Sequence, residues 1–364
     1  MALVDQSLPY VRAISPYQPG KPIAELAREQ GVDERHIIKL ASNENPRGMS
    51  PRARAAMERA LGDLERYPDG NGFALKAALA ERHGVGVDQI ALGNGSNDLL
   101  ELVARVFLAP GRGAVFSRHA FAVYPLATLA AGGECIEVPA RDYGHDLDAM
   151  AAAIGADTRI VFVANPNNPT GTHIPPEALH AFLARVPADV LVVLDEAYHE
   201  YLPPELRSET VGWLRQFPNL LISRTFSKIY GMAGLRIGYA LAAAEVVDLI
   251  NRVRQPFNVN SLAQAAALGA LEDHGFVAES YAMNRAGMEL LVAGLKRLGL
   301  GHLPSQANFV TFKVGNGVAV NARLLAQGVI VRPIASYGMP EWLRVTVGTE
   351  PENARFLAAL EKAL

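Results

Sequence analysis

Between residue 89 and residue 242, short apolar runs alternate with stretches of helical spacing. The runs QIALG (89–93), AVFSR (114–118), ECIEVPA (134–140), RIVFVANP (159–166), VLVVLDEAY (190–198), LLISRT (220–225) and LRIGYALA (235–242) read as strands. Between them, NDLLELVARVFL (97–108), VYPLATLAAGG (123–133), LDAMAAAIG (147–155) and PPEALHAFLARV (175–186) read as helices. Strands that are apolar on consecutive positions are buried on both faces. Separated by helices, they predict a mostly parallel seven-stranded sheet covered by helices on both sides. Such a sheet binds its ligand at the carboxyl ends of its strands.

The pattern differs on either side of this region. Residues 1–45 read as an extended arm, with Pro9, Pro16, Pro19 and Pro22 breaking regular structure and one helix in PIAELAREQG. A second early helix, SPRARAAMERALGD, is opened by Ser50 as cap and Pro51 at its first position. Beyond residue 243, long helical stretches cover 244–254 and 261–298, interrupted by Gln255-Pro256-Phe257-Asn258. The strands NFVTFKV, VIVRPI and WLRVTVG follow. The expected organisation is an arm (1–45), a large domain (46–255) and a smaller C-terminal α/β domain (256–364) with a mainly antiparallel sheet, joined by the arm.

Composition narrows the function classes. The chain has 364 residues, half of them apolar, and a formal net charge of −3, which gives no support to nucleic-acid binding. The single cysteine, Cys135, excludes an intrachain disulfide and a cysteine zinc cluster, and fits a reducing cytoplasm. The N-terminus lacks the apolar core of a signal peptide, and no stretch approaches the ~20 apolar residues of a membrane span. The nine histidines show no metal-ligand spacing, and His199 reads as structural. There is no GxSxG elbow and no GxxxxGK[ST] loop, so serine hydrolase and ordinary nucleotide hydrolase readings fall away.

The chemistry sits at strand ends. Asp195 closes an apolar strand; alone it reads equally well as a cap or turn residue. In LGNGSND, Gly93 and Gly95 lie between a strand and a helix. The third glycine of a dinucleotide fingerprint is replaced by Asp98, leaving a phosphate cradle of the Gly95, Ser96 and Asn97 amides, or a plain turn. The loop ANPNNPTG (164–171) presents Asn168 and is a candidate for a cis X-Pro bond, or is simply a rigid turn. SRTFSKIYGMAGLRIGYA (223–240) places Lys228 between hydroxyls, with Arg236 eight positions later. As a set these groups match pyridoxal phosphate. Its aldehyde needs a lysine, its phosphate needs amides, hydroxyls and an arginine, its ring nitrogen a carboxylate, and its ring oxygen hydrogen-bond donors.

ANPNNPTG, DEAY and SRTFSKIYGMAGLRIGYA, in this order and spacing, resemble fold-type I aminotransferases. With SPYQPGKPIAELARE, LASNENPRG, ERYPDG, GNGSNDLLEL and WLRVTVGT, the chain is most similar to the histidinol-phosphate aminotransferase family within them. The resemblance implies that Lys228 forms the Schiff base and shuttles the α-proton. Asp195 would pair with the ring nitrogen, and Tyr198 and Asn168 would hold the ring oxygen. Ser96, Asn97, Thr225, Ser227 and Arg236 would hold the phosphate, and Phe121 would stack on the ring. Tyr67 would reach the cofactor of a neighbouring subunit, implying a homodimer with shared active sites. Arg344 would bind the substrate anion, and Arg332 and Tyr17 would add contacts to a substrate phosphate. The reaction implied takes L-histidinol phosphate and 2-oxoglutarate to imidazole-acetol phosphate and L-glutamate. An aromatic amino-acid aminotransferase, a threonine-phosphate decarboxylase and a non-catalytic cofactor-binding regulator stand as alternatives. Ser96-Asn97 departs from the Ala-Asp or Ala-Glu that relatives often carry.

Overall fold

The computed structural model describes residues 2–364. Twelve strands are numbered along the chain: β1 (Ile38–Lys39), β2 (Ile90–Gly93), β3 (Gly113–Ser117), β4 (Glu134–Val138), β5 (Thr158–Ala164), β6 (Leu191–Asp195), β7 (Leu220–Thr225), β8 (Gly238–Leu241), β9 (Phe309–Lys313), β10 (Val329–Ile330), β11 (Arg332–Pro333) and β12 (Trp342–Thr346). The seven-stranded sheet has the order β2-β8-β7-β6-β5-β3-β4. Strands β3 to β7 pair in parallel, and β8 runs antiparallel to both its neighbours. The expected mostly parallel sheet is therefore present.

Both faces of this sheet are buried except at its edge strand β4, where Glu134, Cys135 and Glu137 are exposed, and alternate residues go to opposite sides as the strand pleat requires. Val161, Val163, Val192 and Leu194 pack into one core, while Ile160, Phe162, Leu191 and Val193 pack into the other. This explains why the strands read as continuous apolar runs. The order reverses between β3 and β5, and the loops leaving β3, β5, β6 and β7 open into one crevice there.

The smaller sheet, β11-β12-β9, is antiparallel, and the helices His274–Arg297 and Glu350–Ala363 cover it. VIVRPI is not one strand. It divides at Val331, so β10 pairs in parallel with β1 of the arm while β11 turns to pair with β12. The stretch 261–298 also divides. The Asp273 carboxylate accepts from the amide of Phe276 and starts a new helix at His274. The preceding helix, Ser261–Leu271, lies against Pro51–Arg59, and its alanines 263, 266, 267 and 270 join the large-domain core. Ser50 caps Pro51–Arg59 through the Ala53 amide at 3.1 Å, as its sequence position predicts. The helix Phe73–His83, started after Gly72, is not anticipated by the pattern.

Candidate active site

A cavity of about 250 Å³ opens at the carboxyl ends of β5, β6 and β7 and is closed on its far side by the arm and by β11 and β12. Its wall includes Tyr17, Ser96, Asn97, Phe121, Asn168, Asp195, Tyr198, Thr225, Ser227, Lys228, Arg236, Arg332 and Arg344. Thirteen of the fifteen residues proposed from sequence thus meet in one place, although they are drawn from positions 17 to 344. Of the other two, Gly95 lies just behind the wall. Tyr67 stands outside its own chain's cavity, 83 % exposed, with its ring stacked on Phe257 at 4.8 Å.

Lys228 follows β7 and is half-buried on the cavity wall, and among the described residues its amine has only the Ser42 carbonyl within reach, at 3.4 Å. Burial, then the positive charge of Arg344, lowers its pKa to about 8. A neutral amine is therefore accessible near physiological pH. Asp195 ends β6. Its Oδ2 accepts from the Tyr124 hydroxyl at 2.9 Å and its Oδ1 from the Ala197 amide at 3.2 Å. Burial raises its pKa to about 6, against the pull of these donors and of Lys228. At neutral pH it is a buried carboxylate suited to a cationic partner. Tyr198 is buried and its pKa is raised to about 12 by burial, so its hydroxyl stays protonated. Lys228 Nζ lies 5.6 Å from the centroid of the Tyr198 ring. Phe121 meets Tyr124 edge-on at 5.8 Å, and Tyr124 stacks on Phe162 at 4.7 Å.

The cradle forms where the helix Ser96–Phe107 begins. Its first-turn amides have no partner within the helix and point out of its end. Gly95 has φ +82°, and a Cβ there would sit 2.2 Å from Arg236 Nη2, so this position requires glycine. Arg236 itself is left-handed at φ 58° and is held by the Ala233 carbonyl at 3.0 Å and Ser227 Oγ at 3.4 Å. Thr225 Oγ1 accepts from the Ser227 amide at 3.1 Å, which turns both hydroxyl residues toward the same end of the cavity. Amides, hydroxyls and a guanidinium converge there, as a phosphate monoester demands.

At the opposite end, Arg332 and Arg344 are direct cross-strand partners of β11 and β12. Like charges placed opposite each other are unfavourable, so this pair makes physical sense around an anion. Arg344 donates to Asn168 Oδ1 and to the Ala41 carbonyl at 2.8 Å, and its buried Nε has no partner among the described residues. Arg332 donates to the Gln18 carbonyl at 2.7 Å and the Tyr17 hydroxyl at 3.3 Å, which draws the arm over the site. Both X-Pro bonds of NPNNP, Asn165-Pro166 and Asn168-Pro169, are cis. The donor set fits pyridoxal phosphate: the Lys228 amine on the cavity wall for its aldehyde, the Gly95 cradle for its phosphate, and an anion seat whose Arg344 Nε is unpartnered among the described residues.

Several residues at or behind the cavity wall escape sequence reasoning. Asn43 lies in LASNENPRG, where nothing local ties it to Tyr198, yet its Nδ2 donates to the Tyr198 hydroxyl at 2.8 Å. Tyr124 looks like one more apolar helix position until its hydroxyl is seen on Asp195. Tyr337, in the loop after β11, also lines the cavity, and burial raises its pKa.

Residues 35–360 match the family model "Aminotransferase class I and II". A histidinol-phosphate aminotransferase of Dechloromonas aromatica is 67 % identical over 364 residues, the full length of both chains. One from Nitrosospira multiformis is 62 % identical, covering all of this chain and 93 % of its own. Among solved structures, histidinol-phosphate aminotransferase from Sinorhizobium meliloti in complex with pyridoxal-5'-phosphate superposes with a TM-score of 0.89. It is 29 % identical, over 98 % of this chain and 97 % of that one. An aspartate aminotransferase mutant from Thermus thermophilus gives a TM-score of 0.85 at 26 % identity, over 98 % and 99 % of the two chains. With the lysine, carboxylate and arginines gathered in one crevice of this sheet, these matches establish that the chain belongs to the class I and II aminotransferase family.

Proposed function

We propose that the protein is a pyridoxal-phosphate-dependent transaminase that converts L-histidinol phosphate and 2-oxoglutarate to imidazole-acetol phosphate and L-glutamate, as a cytoplasmic homodimer with shared active sites. The observation that carries this reading is the buried cross-strand pair Arg332–Arg344 on the same cavity as Lys228. One seat must take a carboxylate in one half-reaction and a phosphate in the other, and the planar fork of arginine suits both. The relatives named above are histidinol-phosphate aminotransferases, which supports histidinol phosphate as the amino donor. Exposed Tyr67, stacked on Phe257, supports a role reached across a subunit boundary.

When bound, pyridoxal phosphate supplies an electrophilic aldehyde and a ring that accepts the electron pair of the substrate Cα–H bond. The chain's residues do the rest. Lys228, with its lowered pKa, takes the proton from the α-carbon and returns it one position away as general base and then general acid. Asp195 holds a proton on the ring nitrogen through its buried carboxylate. Tyr198 and Asn168 donate to the ring oxygen; the Asn168 carbonyl is engaged by Arg344, leaving its amide N–H groups as donors. Ser96, Asn97, Thr225, Ser227 and Arg236 anchor the phosphate, and Gly95 lets the backbone approach. Tyr17 lies over the Arg332 guanidinium, which is 5.4 Å from the tyrosine ring centroid, and accepts from it through its hydroxyl, at the arm side of the anion seat.

The test is a half-reaction. The reconstituted protein is mixed separately with histidinol phosphate, phenylalanine, tyrosine and threonine phosphate, and its visible absorption is followed. Discharge of the band by histidinol phosphate is expected. If only the aromatic amino acids discharge it, the substrate assignment fails and the aromatic aminotransferase stands.

A further inference from the structure

The hydroxyl of Tyr198 has a direction, and two residues with no role in the reaction as described set it. We propose that Asn43 and Thr346 are positioning residues that hold the Tyr198 hydroxyl as a donor into the cavity, toward the ring oxygen of the bound cofactor. The inference rests on the pyridoxal-phosphate reading above.

The argument follows the protons. The Asn43 backbone N–H can only donate, and it does so to Thr346 Oγ1 at 2.9 Å. Thr346 Oγ1 in turn donates to Asn43 Oδ1 at 3.2 Å. That leaves the Asn43 Nδ2 group to face Tyr198, and it donates to the tyrosine oxygen at 2.8 Å. With the amide turned over, Thr346 Oγ1 would face two donors and its own buried proton would have no acceptor among the described residues. The three side chains are all buried, so water cannot repair such a mismatch. A tyrosine oxygen that accepts from Asn43 must direct its O–H elsewhere. No protein acceptor for that proton lies within hydrogen-bond distance among the described residues, and Tyr198 lines the cavity. The relay is anchored at its far end. Asn43 is left-handed at φ 56°, its carbonyl accepts from Asn308 Nδ2 at 3.0 Å, and the Thr346 amide donates to Leu40 at 2.8 Å. Asn43 and Thr346 are 303 residues apart in sequence, so the relay forms only when the arm docks on β12.

The consequence is chemical. A donor on the ring oxygen draws electron density from it. That oxygen is the internal acceptor for the proton on the Lys228 nitrogen in the reconstituted protein. A firmly aimed donor therefore lowers the apparent pKa of the visible band, and losing it raises that pKa.

The wild type and the variants Y198F, T346V, T346S, N43A and Y198F/T346V are reconstituted with pyridoxal 5'-phosphate, and the visible band is titrated with pH. Y198F should raise the apparent pKa by about one unit, the size of one hydrogen bond to a charged group. T346V and N43A should each raise it by at least about half of that, since the hydroxyl loses its direction. T346S keeps the relay and should titrate as wild type. Y198F/T346V should titrate as Y198F alone, because the two changes break one chain. The proposal is overturned if Y198F shifts the band while T346V and N43A do not, or if the double variant shows the full sum. A wild-type protein that forms no visible band would instead bring down the cofactor reading itself. A purely structural role for Thr346 would lower the melting temperature in T346V without moving the titration.

Discussion

Replacing Tyr124 with phenylalanine removes one oxygen atom and isolates one interaction. The ring's contacts, stacked on Phe162 at 4.7 Å and edge-on to Phe121 at 5.8 Å, are retained. What is lost is the 2.9 Å donor to Asp195 Oδ2, leaving the carboxylate with the Ala197 amide at 3.2 Å. A hydrogen bond to a buried charge contributes about 1.5–3 kcal/mol, so the Asp195 pKa should rise by about 1–2 units beyond its already raised value. The sign on stability follows from linkage. Burial raises Asp195 from 3.8 to about 6 in the folded protein. The folded state thus binds the proton more tightly than the unfolded chain. Its contribution is fully present below pH ~4 and is lost as pH rises through about 6. In Tyr124→Phe the loss continues to about pH 7–8. The variant should therefore be only slightly destabilised at pH 4, and destabilised by about 1.5–3 kcal/mol at pH 8. Urea unfolding of the cofactor-free protein at a series of pH values reads this directly. The same comparison in an Asp195→Asn background should show no pH dependence. A destabilisation that is constant from pH 4 to 8, or that keeps its pH dependence without Asp195, would refute the reasoning.

Other outcomes follow from the same structure. Gly95→Ala should weaken cofactor binding at least about 10-fold and lower the melting temperature, because its Cβ would lie 2.2 Å from Arg236 Nη2 at a φ of +82°; equilibrium titration with pyridoxal phosphate checks it. Glu196→Ala should cost about 3–5 kcal/mol in urea unfolding, since it strands buried Arg224, now held at 2.8 Å and 2.9 Å, and adding Arg224→Met should recover much of that loss. Lys228→Ala should abolish the visible band of the reconstituted protein and reduce turnover by about 10²-fold or more, as removal of a general base does; retention of the band would place the anchoring amine elsewhere.

Local chemistry was legible wherever a few adjacent residues suffice to define it. The apolar runs of β5, β6 and β7 announce strands buried on both faces, because each pleat direction meets a core. Ser50-Pro51 announces a helix start, because a hydroxyl and a preset φ satisfy that end without outside help. Lys228, Asp195 and Asn168 each follow or end a strand, so the rule that ligands bind at strand carboxyl ends could bring them to one crevice before any contact was seen, whereas Arg236 stands two residues before β8 and reaches the same edge because β8 runs antiparallel to β7. The break at Asp273 is not legible in the sequence, because a capping aspartate between two helical stretches differs little from a surface carboxylate.

By itself, then, the sequence determined the element types of the large sheet, the residues at its chemical edge and the family to which their order belongs. Only the tertiary structure decided that VIVRPI divides between the arm and β12, that Ser261–Leu271 serves the large-domain core, and that Arg332 faces Arg344. It also decided that Tyr124 supports Asp195 and that Asn43 and Thr346 together aim Tyr198. The division has a physical cause. Periodicity and caps are local and cost little chain entropy to form. A hydrogen bond between residues 303 apart exists only after the whole chain has been ordered, and no pattern of neighbours records it.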